Sequence, residues 1–253
     1  MCLILLAWRA HPDYPLVVAA NRDEFFARPT AAADFWADQP RVLAGRDLEG
    51  DGTWFGISRS GRFAALTNYR DPASQRTGTP SRGALVADFL TGHMSPADYR
   101  RELDAKGEAW NGYNLLFGDG EELHYQSNCG DGPARLAPGI YGLSNHLLDT
   151  PWPKVAAGKS RLAAALAKLP DDRSLLDLLK DDRLADDAAL PRTGVSLEWE
   201  RLLSAAFVRS PAYGTRSSTV LSRDRQGRVV FEEVHFNAGA DETGRTRFDF
   251  HID

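Results

Sequence analysis

Cysteine follows the initiator methionine in this chain, and small second residues are tolerated when that methionine is removed. Loss of Met1 would leave a thiol and a free α-amine on one residue, with reference pKa values of about 8.5 and about 8. The amine, directly or through a water, can take the thiol proton, so Cys2 is a candidate nucleophile that needs no histidine. The competing reading is a small buried residue that opens a strand.

Polar residues elsewhere fall where apolar strands end. Asn21-Arg22-Asp23-Glu24 follows an apolar run, and a hairpin would return Arg22 or Asp23 close to Cys2. An aspartate there could hold the α-ammonium or orient the thiol, and an arginine could favour the thiolate. Read alone, the segment is better explained as a turn with an Arg–Glu surface pair. Asn68, Asn145 and Arg216 sit at three further strand ends. An asparagine amide can donate to an oxyanion, an interaction worth about 3 kcal/mol in a transition state. Each of the three also fits an ordinary strand-end or turn residue.

The elements that must position these groups are mostly hairpins. Cys2–Trp8 and Pro15–Ala20 are apolar at nearly every residue, as in strands covered on both faces. Thr53–Arg59 pairs with Arg62–Asn68 across Ser60-Gly61, and Tyr113–Phe117 with Glu122–Gln126 across Asp119-Gly120. Ile140–Ser144 is a short strand, Ser217–Arg223 and Arg228–Phe236 flank a Gly227 turn, and Arg245–His251 closes the set. Helices fill the gaps. One is capped by Ser81 and ended by Gly92, and one runs from Pro96 to about Ala105. A third begins at Pro153 and is stopped by Pro170, with Val155, Leu162, Leu166 and Leu169 on one face. Leu175–Leu179 and Leu197–Phe207 complete the helical set. Hairpins separated by helices indicate α+β architecture with antiparallel sheet, not a doubly wound fold.

The bulk numbers exclude several classes. The 253 residues are 43% hydrophobic and 26% charged, with a formal net charge of −5 and no dividing linker, so one domain over 1–253 is expected. No basic stretch suits nucleic acid, and no segment has the apolar length of a membrane span, so neither nucleic-acid binding nor stable membrane insertion is expected. The apolar start lacks the basic region and cleavage site of a signal peptide, and the two cysteines, Cys2 and Cys129, make no disulfide framework. A cytoplasmic location is the expectation. There is no phosphate loop and no nucleophile elbow, and the six scattered histidines offer no helical metal pair, so no metal is assigned.

Taken in order, Met1-Cys2, Asn21-Arg22-Asp23-Glu24, Gly52-Thr53-Trp54-Phe55-Gly56, Leu66-Thr67-Asn68-Tyr69-Arg70, Gly142-Leu143-Ser144-Asn145 and Tyr213-Gly214-Thr215-Arg216-Ser217-Ser218-Thr219-Val220 resemble the NRDE family, also called transport and Golgi organisation 2 homologues. The resemblance runs from residue 1 to about 224. It implies the N-terminal-nucleophile hydrolase superfamily: a four-layer αββα sandwich of two antiparallel sheets, with amidases such as bile salt hydrolases, penicillin V acylases and acid-ceramidase-like enzymes as relatives. By that resemblance Cys2 is the nucleophile, Asp23 the acid that positions it, and Asn68 an oxyanion donor. Asn145 contacts the amine and oxyanion region, and Arg216 lies near the thiol. Arg22, Tyr69 and His146 are carried over as substrate-binding. The amidases place an arginine three residues before the aspartate, where this chain has Ala20, and Arg22 is expected on the other face of the strand.

The function implied is hydrolysis of a linear amide or related acyl bond of a small molecule, with no required cofactor. The alternative is a non-catalytic carrier of the same fold that handles haem, acyl-CoA or another hydrophobic ligand. Haem would need an axial His, Cys or Tyr, and no dedicated motif supplies one.

Overall fold

The computed structural model describes residues 2–106, 109–132 and 134–253. Its first six strands are β1 (Cys2–Trp8), β2 (Leu16–Phe25), β3 (Thr30–Phe35), β4 (Val42–Asp47), β5 (Phe55–Ser58) and β6 (Phe63–Asn68). Helices α1 (Gly83–Thr91) and α2 (Pro96–Lys106) precede β7 (Tyr113–Gly118), β8 (Leu123–Ser127) and β9 (Gly139–Leu143). Then come α3 (Pro153–Leu166), α4 (Arg173–Asp177) and α5 (Leu197–Leu202), and finally β10 (Tyr213–Arg223), β11 (Arg228–Phe236) and β12 (Glu242–His251).

Two six-stranded antiparallel sheets result, in the orders β12-β11-β10-β2-β1-β9 and β3-β4-β5-β6-β7-β8. Side-chain alternation along β1 shows why they stack. Ile4, Leu6 and Trp8 point between the sheets, where they meet Phe55, Ile57, Phe63 and Leu116. Leu3, Leu5 and Ala7 point outward and are covered by Val155, Leu162 and Leu166 of α3. On the second sheet, Ala64, Leu115 and Phe117 are covered by Leu85, Val86 and Phe89 of α1. The layering is therefore helix, sheet, sheet, helix, the αββα sandwich that the resemblance implied. Fully buried side chains such as Leu3, Leu5 and Leu6 each contribute about 1.5–3 kcal/mol to that stacking.

Close approach fixes two glycines. A β-carbon on Gly158 would stand 2.7 Å from both Leu5 methyl carbons, so α3 can rest on β1 only without one. A β-carbon on Gly52 would overlap the backbone of Gly83, which lets the β4–β5 connection lie against the start of α1.

Several boundaries differ from the sequence expectation. β2 does not stop at Ala20 but runs through Asn21-Arg22-Asp23-Glu24 to Phe25, because the side chains of Asn21 and Asp23 find buried partners. β3 and β4 were not expected at all: in β3 only Ala33 is buried, so the alternating signal is faint. The α1 N-cap is Arg82, not Ser81, and α5 ends at Leu202, short of Phe207. No helix among the described residues is long and apolar enough to cross a membrane.

Candidate functional site

Strand pairing assembles the site. Cys2 is the direct antiparallel partner of Arg22, so their side chains share a face, the one that carries Ile4 and Ala20 between the sheets. The expectation that Arg22 would face away from the position of Ala20 is corrected: residues two apart in an unbroken strand share a side. Arg22 is buried, and its guanidinium lies 4.3 Å from the Trp54 ring centroid, so it stands beside Cys2.

Asp23 points to the opposite face, toward the helical layer. It pairs with Thr215 of β10, whose Oγ1 donates to Asp23 Oδ1 at 2.7 Å, and Tyr213 Oη donates to the Asp23 carbonyl at 2.9 Å. Burial raises the Asp23 carboxyl pKa, against the pull of Lys154 and the Thr215 hydrogen bond. Asn21, two residues earlier on that face, gives its amide to the carbonyls of Leu179 (2.9 Å) and Ala206 (2.7 Å) and accepts from Ser218 Oγ at 2.6 Å. It fastens the helical layer over Asp23.

Cys2 opens onto a cleft of about 370 Å³ whose walls include Arg22, Asp23, Trp54, Asn68 and Arg82. The residue is half-buried. Burial pushes its thiol pKa up and Asp23 adds to the rise, while Arg22 and the Asp23 backbone N–H favour the thiolate. The raising influences win, so the thiol holds its proton at neutral pH and would need a base to become a nucleophile.

The two sheets are tied beside Cys2 by polar bonds. Ser144 Oγ donates to the Cys2 carbonyl at 3.1 Å and lies 3.3 Å from Asn145 Oδ1. Asn145 is fully buried, and its amide donates to the Asn68 carbonyl at 2.8 Å, while its own carbonyl accepts from Arg70 N at 2.8 Å. Asn68 therefore lines the cleft, and Asn145 holds it there from behind. Thr67 Oγ1 closes the seam by donating to the Ser144 carbonyl at 2.6 Å.

Besides Asn145, three expected site residues are placed outside the cleft lining. Arg216 is the extra residue of a β-bulge between Thr215 and Ser217, and its guanidinium donates to the carbonyls of Phe25 and Arg28. It clamps the turn after β2, and Arg22 occupies the place beside the thiol. Tyr69 Oη and His146 Nε2 pair with each other at 2.9 Å, with Thr150 Oγ1 on the other ring nitrogen. Burial lowers the His146 pKa.

Sequence reading gave no role to Trp54, Arg82 or Lys154. Lys154, at the second position of α3, is 5% exposed with no hydrogen-bond partner for Nζ among the described residues. Burial brings its pKa down to about 8, against the attraction of Asp23. A proline-led helix start normally carries such a lysine in water, so composition gave no sign of it. Arg70 and Glu200 form a buried ion pair at 2.8 Å, with Arg70 also stacked 4.7 Å from the Trp152 ring centroid. No group of His, Cys, Asp and Glu among the described residues is arranged to hold a metal ion.

Comparison with known proteins then decides the family. The sequence model described as "Transport and Golgi organisation 2" matches residues 1–238. The chain belongs to that family. A bovine Transport and Golgi organization protein 2 homolog is 42% identical over 257 residues, with 92% of each chain covered. The human homolog is 39% identical over the same length and shares, and the Drosophila melanogaster Transport and Golgi organization protein 2 is 30% identical over 263 residues, covering 92% of this chain and 91% of its own. Among solved structures, a Caenorhabditis elegans ortholog of N-acylethanolamine-hydrolyzing acid amidase aligns with a TM-score of 0.45 and 12% identity, covering 87% of this chain and 92% of that one. A mutant conjugated bile acid hydrolase from Clostridium perfringens gives 0.39 and 10%, covering 99% and 92%. For this member of the Transport and Golgi organisation 2 family, these distant likenesses carry no argument about activity, which must come from the cleft itself.

Proposed function

We propose that this Transport and Golgi organisation 2 family member hydrolyses an amide or related acyl bond of a small molecule through an acyl-Cys2 intermediate. The observation that carries the reading is Cys2 in the cleft lining, with Arg22 paired across from it. Removal of Met1 would expose the Cys2 α-amine beside that sulfur. The amine takes the thiol proton, and the sulfur attacks the acyl carbon. The amine then protonates the departing nitrogen, and a water releases the acyl group. Asn68, held by Asn145, is the donor suited to the oxyanion. Asp23, buried and bonded to Thr215, is suited to steady the ammonium form of the amine. The cleft walls carry Arg22, Glu24, Arg28, Asp47 and Arg82, which suits a small polar substrate better than a haem macrocycle or a long acyl chain.

Intact mass and timed labelling with iodoacetamide test this reading. The mature protein is expected to lack Met1 and to label at Cys2 at least about tenfold faster than at the exposed Cys129, because the paired amine lowers the barrier to thiolate formation. Complete retention of Met1, or labelling of Cys2 no faster than Cys129, would overturn it.

A further inference from the structure

The reaction sequence above leaves two guanidinium groups of the cleft without a task. Arg22 is 6% exposed, and its Nη1 has no hydrogen-bond partner among the described residues although it stacks on Trp54 at the cleft wall. A buried donor without an acceptor is costly to maintain, and it is found where an acceptor arrives from outside. Arg82 lines the same cleft, with Nη1 donating to the Gly112 carbonyl at 3.1 Å. It is also the N-cap of α1, a nine-residue helix with no side-chain cap at its N-terminus, and Ser81, Arg82 and Gly83 all border the cleft. The positive end of the helix therefore joins the two arginines, although Ala84 N and Leu85 N already donate to the Ser81 and Arg82 carbonyls.

Among the described residues no carboxylate of the cleft forms an ion pair with Arg22 or Arg82, although Glu24 attracts Arg82 from a distance. Asp47 accepts from Arg28 Nε through both oxygens, at 3.1 and 3.0 Å, and Glu49 lies 3.3 Å from Arg28 Nη1. Asp23 turns its carboxylate to Thr215 on the other face. Glu24 remains, with one oxygen accepting from Phe25 N at 2.8 Å.

We propose that Arg22, Arg82 and the start of α1 form a subsite for an anionic group, a carboxylate or a phosphate, on the molecule whose acyl carbon is presented to Cys2. The substrate class is then an acyl compound that carries its anion close to the scissile bond. This rests on the hydrolytic reading for what Cys2 does, but the anion subsite can be read independently of it.

Two alkylating agents of similar size separate charge from reactivity. The rate ratio of iodoacetate to iodoacetamide cancels the thiolate fraction and leaves the effect of the reagent's carboxylate. At Cys2 this ratio is expected to exceed that of N-acetylcysteine by about tenfold. Arg82→Met and Arg22→Met should return it to the N-acetylcysteine value, and Arg82→Lys should retain most of it. A wild-type ratio equal to that of N-acetylcysteine, or one unchanged by Arg82→Met, overturns the proposal. If Cys2 reacts with neither reagent, the nucleophile reading fails and the subsite is judged by thermal shift. Inorganic phosphate or acetate should raise the wild-type Tm and not that of Arg82→Met, and the more effective of the two identifies the anion. Equal shifts in both proteins, or no shift in either, overturn the subsite.

Discussion

Changing Asn21 to alanine is expected to lower the unfolding free energy by about 3–5 kcal/mol, one of the largest effects available outside the apolar core. Asn21 is 1% exposed and makes three hydrogen bonds, to the carbonyls of Leu179 and Ala206 and from the Ser218 hydroxyl. Alanine leaves all three partners buried without an equivalent, and each such group costs about 1–3 kcal/mol. Asn21→Asp separates the contributions, because a carboxylate can accept from Ser218 but cannot donate to the two carbonyls. Guanidinium denaturation of both variants measures the loss, and hydrogen exchange should show it first in the amides of residues 178–208. A loss in Asn21→Ala below about 1 kcal/mol would mean that these bonds do not hold the helical layer over the sheet.

Lys154 predicts a stability that depends on pH. Its folded-state pKa, about 8, lies below the ordinary lysine value of 10.5, so between these two values the unfolded chain holds more protons than the folded one. Stability from this group is present above the unfolded value and is lost as pH falls through about 8. At about 1.4 kcal/mol per pH unit, the difference across that span is on the order of 3 kcal/mol, reduced by whatever relaxation brings water to Nζ. Lys154→Met removes the dependence. The stability of the wild type minus that of the variant should therefore climb between pH 8 and 10.5. The variant also leaves Asp23 without the opposing ammonium, so the Asp23 carboxyl should titrate at higher pH still. A difference that stays flat over that range would show that water or the attraction of Asp23 holds the ammonium form, and would contradict a lysine destabilised by burial.

How much of this could be read in the residues alone varies from element to element. β1 was plain, because a strand buried on both sides shows as an unbroken apolar run, and the turn that follows returns Arg22 to Cys2. The end of β2 was obscured, because Asn21 and Asp23 are strand residues that satisfy their polarity inside the protein, and polarity in a sequence reads as exposure. β3 was obscured for the contrary reason: it is an edge strand of half-buried and exposed residues in which only Ala33 is buried. In the candidate site, strand-end position together with the motifs of the resemblance singled out Cys2, Asp23, Asn68 and Asn145, which the structure places at the cleft or directly behind it. Arg216, Tyr69 and His146 carry the same chemistry in the same motifs, yet a bulge turns Arg216 to the β2–β3 turn, and Tyr69 spends its hydroxyl on His146. Spacing does not encode a bulge or a choice of partner. Lys154 and Arg82 could not be found from their neighbours in sequence, because both matter through residues far along the chain.

The account stands on Cys2 becoming the acylated atom. Brief incubation with p-nitrophenyl acetate, quenching in acid and peptide mass spectrometry locate the acetyl group directly. The result expected is one acetyl thioester on Cys2 of the Met1-free protein, formed in a burst with nitrophenolate, decaying on standing and absent from Cys2→Ala. An acetyl group spread over lysines and Cys129 at the same rate in Cys2→Ala would contradict it.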